Sequence, residues 1–373
     1  MLLFDVYPLF NINPAKAMGS WLWDDQGKKY LDLYGGHAVI SIGHSHPHYV
    51  KRLTDQLHKI AFYSNSVQNN LQTAFAEKLG HVSGYPDYNL FLCNSGAEAN
   101  ENALKLASFV TGRKKVIAFK KSFHGRTSGA VAATDNPKIV SPFNAGHDIV
   151  FVPLNDRAAF DAALGTDVAA VIIEGIQGVG GIQLPEDSFL QHLQKKCTSN
   201  GSLLILDEIQ SGYGRTGKFF AHQYAGIKPN LITTAKGMGN GFPIGGVLIH
   251  PDIKPWHGML GTTFGGNYLA SVAGLAVLEV IENEKLISHA AAIGEHWQRA
   301  LKLLPKITAL RGRGLMIGID LPDDLKHVRN NLLHKHHIFT GEAKPNTIRL
   351  LPSLAVTQEE ADIFLNALNQ ELE

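Results

Sequence analysis

Three apolar runs of the 373-residue chain end in an ionisable side chain: Val171-Ile172-Ile173-Glu174, Leu204-Ile205-Leu206-Asp207 and Ile232-Thr233-Thr234-Ala235-Lys236. If the runs are strands of an open parallel sheet, these side chains stand outside the carboxyl ends, where such sheets take their ligands. A lysine beside buried apolar surface has a depressed pKa and can attack a carbonyl to form a Schiff base, which suits Lys236 to covalent work. A nearby acid, Asp207 or Glu174, can pair with that amine or with a cofactor cation. One polar strand end is ordinary, whereas three together point to chemistry.

A second feature offers an anion site. Asn94-Ser95-Gly96-Ala97-Glu98 joins another apolar run to a stretch of helical period. Free amides around Ser95, Gly96 and Ala97, together with the helix dipole, would cradle a phosphate. Gly212-Tyr213-Gly214-Arg215-Thr216-Gly217 fits the dinucleotide pattern G-x-G-x-x-G letter for letter. It begins several residues past its strand, and no acid follows before Lys236 to take a ribose hydroxyl, so a nucleotide is not expected there. G-x-x-x-x-G-K-[ST] and G-x-S-x-G are both absent. The histidine groups His44, His46, His48 and His334, His336, His337 have no Cys or carboxylate at ligand spacing, so no metal is expected.

Positioning these groups takes an α/β fold. Segments Asn89–Cys93, Lys115–Phe119, Ile149–Val152, Val168–Glu174, Ser202–Asp207, Leu231–Ala235 and Ile244–Ile249 are mostly Val-, Ile- and Leu-rich and predict one large, mostly parallel seven-stranded sheet. Helical period marks 48–61, 69–81, 97–110, 186–199, 266–283, 285–304 and 357–371. The last of these are not separated by long buried strands, which predicts a smaller α+β domain at the end of the chain. Residues 1–47 carry turn signals such as Asp24-Asp25-Gln26-Gly27, read as short strands and loops, and are too few to fold alone. The expected division is 1–47 as the N-terminal part of the small domain, 48–265 as the large domain and 266–373 as the C-terminal part of the small one.

Composition narrows the partners. Lys plus Arg number 34 against 33 Asp plus Glu, a net charge of +1, which leaves no basic field for nucleic acid. The longest apolar runs fall far short of the roughly 18–20 residues that span a bilayer. The start Met1-Leu2-Leu3-Phe4-Asp5 is unlike a signal or transit peptide, and two cysteines, Cys93 and Cys197, make no disulfide framework. A reducing, cytoplasmic setting is expected.

The ordered blocks YLDLYGGHAVISIGHSHP (30–47), NSGAEANENALKLA (94–107), FHGRT (123–127), EGIQGVGG (174–181), LDEIQSGYGRTG (206–217), TTAKGMGNGFPIGG (233–246), TTFGGN (262–267), RGRGLMIGI (311–319) and RLLPSLAVT (349–357) resemble class III, pyridoxal-phosphate-dependent aminotransferases, nearest the acetylornithine/succinylornithine branch. The resemblance covers nearly the whole chain. It implies fold type I and pyridoxal 5'-phosphate carried on Lys236, with Asp207 at the pyridinium nitrogen. It further implies Phe123 on the ring, Gln210 by the ring oxygen, and Ser95, Gly96 and Ala97 at the phosphate. By the same resemblance Thr263, with Thr262, reaches the phosphate of a neighbouring subunit, making a homodimer with shared sites. Arg126 and Arg349 are implied for the carboxylates of the amino donor and of 2-oxoglutarate or glutamate, since a guanidinium fork grips a carboxylate bidentately.

The activity so implied moves the δ-amino group of an N-acylornithine to 2-oxoglutarate, in arginine biosynthesis. Ornithine and 4-aminobutyrate are the alternative donors. A pyridoxal-phosphate-binding regulator is the reading from another class, and retention of Lys236 and Asp207 without any helix-turn-helix region speaks against it. Two positions depart from the pattern. Val179 stands where relatives carry a Glu able to mask the second arginine, and His37 stands where a small apolar residue is usual.

Overall fold

The computed structural model describes every residue from Met1 to Glu373. Labelled in chain order within the large sheet alone, its strands are β1 (Asn89–Cys93), β2 (Lys115–Phe119), β3 (Ile149–Val152), β4 (Val168–Glu174), β5 (Leu203–Asp207), β6 (Leu231–Thr234) and β7 (Gly245–Ile249). They lie in the order β1-β7-β6-β5-β4-β2-β3. β7 runs antiparallel to both neighbours, and every other pairing is parallel. Each expected strand is present to within a residue at its ends. The reason is burial on both faces: all side chains of β4, β5 and β6 are buried, which forces continuous apolar runs.

Alternate residues of these strands feed two cores. Ile172 and Ile205 meet Ala99, Ala103 and Leu106 on one face. Val171, Ile173, Leu204 and Leu206 meet Phe189, Leu190 and Leu193 on the other. The period of two in a strand divides the sides, and the helices Gly96–Thr111 and Asp187–Asn200 supply the partners. Alanines on the first of these helices bring its backbone close to the sheet, and with it the one polar residue on its buried face, Asn100.

The N-terminal strands Pro14–Met18, Trp21–Asp24 and Lys29–Asp32 form an antiparallel sheet that Ile338–Phe339 joins in parallel. A second small sheet orders Ala309–Arg313, Met316–Asp320, Thr347–Leu350 and Gly341–Ala343. These short strands near the end of the chain were not expected individually. The helices Leu286–Leu301 and Gln358–Leu372 flank them, the latter opened by a capping box between Thr357 and Glu360.

The glycine run that mimics a nucleotide fingerprint is a packing device. A Cβ on Gly214 would lie 2.9 Å from Ile287 and one on Gly217 3.0 Å from Ala291, so the glycines let this loop seat the helix Leu286–Leu301. The histidines of the first group pair with acids: His44 with Asp32, His46 with Glu284 and His48 with Glu279. No helix is long and apolar enough to cross a membrane.

Candidate active site

Parallel register sets the three ionisable residues side by side. Glu174 is paired with Asp207 across β4 and β5, and Asp207 with Thr233 across β5 and β6. Lys236 follows two residues after β6. A cavity of about 370 Å³ opens beyond these strand ends, and its walls include Ser95, Gly96, Ala97, Phe123, Arg126, Glu174, Asp207, Gln210 and Lys236. Nine of the expected site residues are thus brought together. Arg349 is buried outside this cavity, behind Gly178. Thr262 hydrogen bonds within its own chain, its Oγ1 accepting from Gly265 N at 3.1 Å and Asn94 Nδ2 at 3.4 Å. Thr263 is exposed and makes no hydrogen bond.

Lys236 opens a single 3-10 turn, Lys236–Met238, with a φ of 46°. A non-glycine residue in the left-handed region stores about 1–3 kcal/mol of strain and persists where surroundings over-determine it. Here a Cβ on Gly239 would lie 2.2 Å from the carbonyl oxygen of Phe242, so the chain folds back too tightly for the lysine to relax. Burial lowers its pKa, with Arg349 and Arg215 acting the same way, while Asp207 and Glu174 oppose the shift. The shift favours the neutral amine, which is the nucleophilic form.

Asp207 is held by three donors. Its Oδ2 accepts from His124 Nδ1 at 2.7 Å and Asn100 Nδ2 at 2.8 Å, and its Oδ1 from the Ile209 amide at 3.0 Å. Asn100 is itself fixed, donating to the His124 carbonyl at 2.7 Å and accepting from Thr233 Oγ1 at 2.7 Å. Sequence reasoning placed Asn100, His124 and Thr233 inside quoted blocks without giving them work. A usable signal existed for Asn100, which lies four residues after Gly96 on the helix face that carries Ala99 and Ala103, where a polar side chain needs a partner.

Glu174 ties two loops together. Its Oε1 accepts from the Phe123 amide at 3.0 Å and its Oε2 from the Gly178 amide at 2.9 Å. Burial pushes its pKa up to about 7, against the pull of His124 and these amides. Gly178 lets Gln210 in, because a Cβ there would lie 1.7 Å from Gln210 Oε1. That oxygen is buried without a hydrogen-bond partner, while the amide nitrogen of the same side chain donates to His37 O at 3.1 Å.

The helix Gly96–Thr111 points its N-terminus at the cavity. Ser95 caps it, its Oγ accepting from Glu98 N at 3.2 Å, and the amides of Gly96 and Ala97 have no acceptor within the helix. Of the two arginines, Arg126 is exposed at the cavity wall with no ion pair or hydrogen bond. Arg349 is 4% exposed, donating from Nε to Glu342 O at 2.8 Å and from Nη1 to Gly178 O at 3.0 Å. It has no carboxylate partner. No group of three or more His, Cys, Asp or Glu side chains is arranged to hold a metal ion.

Comparison with known proteins follows the same line. The family model for aminotransferase class III matches residues 5–372. An acetylornithine aminotransferase of Bacillus subtilis is 41% identical over 377 residues, covering 99% of this chain and 97% of that protein. One from Archaeoglobus fulgidus is 40% identical over 350 residues, covering 93% and 92%. Among solved structures, an ornithine aminotransferase from Toxoplasma gondii, described with partial occupancy of PLP at its active site, superposes with a TM-score of 0.89 at 28% identity, covering 98% of this chain and 90% of that one.

Proposed function

The chain belongs to the class III aminotransferases, and from that premise we propose that it transfers the δ-amino group of an N-acylornithine to 2-oxoglutarate, yielding the semialdehyde and glutamate. Its cofactor is pyridoxal 5'-phosphate, and the residues present fit it. The free amides of Gly96 and Ala97 at a helix N-terminus suit the phosphate. A buried carboxylate on three donors, Asp207, suits a protonated ring nitrogen, and Lys236 suits covalent attachment. The unpartnered Oε1 of Gln210 leaves a buried acceptor for a polar ring substituent. Phe123 supplies an aromatic face. When bound, the cofactor supplies an electron-accepting ring that eases loss of a proton from the carbon beside an amine.

The chain's own residues do the rest. Lys236 Nζ anchors the cofactor and, once released, carries a proton between the substrate carbon and the ring system as a general base and acid. Asp207 keeps the ring nitrogen protonated, and Asn100 and His124 fix the carboxylate that does so. Glu174 holds the Phe123 loop and the Gly178 loop in place.

The observation that carries the substrate assignment is the pair of arginines without acidic partners. Arg126 is open at the wall, and Arg349 is buried and unpaired. The acids that line the cavity, Glu174 and Asp207, are already committed to backbone and side-chain donors. A free α-ammonium would therefore lose hydration without a counter-charge, whereas an acylated nitrogen carries no charge to lose. Arg126 serves the donor's carboxylate and Arg349 that of glutamate or 2-oxoglutarate.

The test is to measure the two half-reactions separately. Arg126→Ala is expected to damage the acylornithine half and Arg349→Ala the glutamate half, each by about 2–5 kcal/mol in kcat/KM for its own substrate. Equal damage to both halves by either variant would refute the division of labour.

Thr262 and Thr263, which do not line the chain's own cavity, are assigned to the phosphate of a second copy, so that the active unit is a homodimer. Mixed Lys236→Ala and Thr263→Ala subunits, each inactive alone, should regain activity in heterodimers. Demonstrated subunit exchange without any recovery would mean that each site is built within one chain.

A further inference from the structure

Arg349 is a buried cation that no acid neutralises. The carboxylate of Glu342, whose backbone carbonyl takes its Nε, is itself paired with Arg329 at 2.6 Å. Burial lowers the Arg349 pKa. The guanidinium carbon is 5.9 Å from the centre of the Tyr34 ring. The Tyr34 hydroxyl hydrogen bonds to Nδ1 of His37.

This arrangement is built with care. A Cβ on Gly341 would lie 2.5 Å from Tyr34 Cε2 and 3.3 Å from Arg349 Cβ, so a glycine is what lets the ring lie flush beside the arginine. His37 is presented by four successive residues in the left-handed region, Gly35, Gly36, His37 and Ala38, with φ of 55°, 53°, 69° and 65°. Such a run is costly for the two residues that carry a Cβ. It is clamped at one end by Asp32 Oδ1, which accepts from Tyr34 N at 3.0 Å and Gly35 N at 2.8 Å, and at His37 O by Gln210 Nε2 at 3.1 Å. Burial, then Lys236 and Arg349, lower the His37 pKa, which favours the neutral imidazole, and a neutral ring with its proton on Nε2 can accept from Tyr34 at Nδ1. A hydroxyl that gives its proton to His37 keeps oxygen lone pairs free to accept from a neighbouring guanidinium.

We propose that the Tyr34 hydroxyl, backed by His37, is a neutral cover for Arg349: it satisfies the buried guanidinium while an N-acylornithine is bound and yields to the carboxylate of glutamate or 2-oxoglutarate. The proposal rests on the reading that Arg349 holds that carboxylate. A carboxylate brings an opposite charge and can take the guanidinium bidentately, which a single neutral hydroxyl cannot, so the exchange favours substrate. Val179, apolar and next to the Gly178 carbonyl that Arg349 also uses, supplies no competing charge. Tyr34 and His37 are then the residues that let one site alternate between substrates with and without a carboxylate at this position.

Tyr34→Phe tests this, because it keeps the ring on Gly341 and removes only the hydroxyl. In single-turnover half-reactions of the holoenzyme, the ratio of kcat/KM for glutamate to that for N-acetylornithine should rise about tenfold, because the hydroxyl is lost from the free enzyme and the acylornithine complex alike and only the carboxylate-bound state does without it. Calorimetry with glutarate, a dicarboxylate that cannot react, should show several-fold tighter binding. His37→Ala should move both readings in the same direction by less. Equal losses in the two half-reactions, or weaker glutarate binding, would overturn the proposal. Arg349→Lys separates the two levels. Unchanged glutarate affinity in that variant would mean that Arg349 does not hold the carboxylate. Reduced affinity there, with Tyr34→Phe moving neither reading, would remove the cover alone.

Discussion

Replacing Lys236 by Ala is expected to slow amino-group exchange by at least about four orders of magnitude, since one substitution removes both a covalent anchor and a general base. No other lysine lines the cavity, so no neighbour can take over. The cradle at Gly96 and Ala97 and the carboxylate of Asp207 are untouched by the change, so the cofactor should still bind, non-covalently. Lys236→Arg is the informative control: it restores the positive charge without an amine that can be deprotonated, and it should be as inactive as the alanine variant. The fold should not suffer in Lys236→Ala, because a buried amine is removed from a left-handed turn that already costs energy. Borohydride reduction of the parent followed by peptide mapping checks the anchor directly. Label on a different lysine, or an Ala variant within tenfold of the parent, would refute the assignment.

Asp207→Asn is expected to lower the rate of both half-reactions by about two to three orders of magnitude, the scale on which removal of one preorganised electrostatic contact acts. Cofactor binding should persist. The cause lies in the donors around Oδ2: His124 Nδ1 and Asn100 Nδ2 both point at it, and a carboxamide there can no longer hold a proton on the ring nitrogen through its negative charge. Asn100→Ala should give a weaker form of the same defect, about tenfold, and confined to kcat, because it loosens the carboxylate without removing it. A loss in KM alone, in either variant, would assign Asp207 to substrate binding instead.

Which parts of this were readable in the sequence follows from what each part depends on. β4 and β5 are buried on both faces, so the solvent-free environment is written into their composition, and their terminal Glu174 and Asp207 stand out as the polar residues at the end of apolar runs. The strand Ala309–Arg313 is intermediate in burial at every position and contains two arginines and a glycine, so neither alternation nor an apolar run marks it. Asn100 and His124 become meaningful only when a helix and a loop converge on Asp207, a tertiary fact with no local pattern. The Tyr34–Arg349 contact joins segments from opposite ends of the chain, and its one local sign, the Gly35-Gly36 pair, announces a turn without saying what the turn presents. Arg126 and Arg349 were both named from resemblance. Only the fold separates them into one exposed at the cavity and one buried without an acid.

The central claim concerns the donor, and a panel of amino donors tests it most directly. With 2-oxoglutarate as acceptor, kcat/KM should be higher for N-acetylornithine or N-succinylornithine than for free ornithine or 4-aminobutyrate, because the cavity offers no free carboxylate to an α-ammonium. If free ornithine or 4-aminobutyrate proves a better donor than both acylated compounds, the N-acylornithine assignment is contradicted.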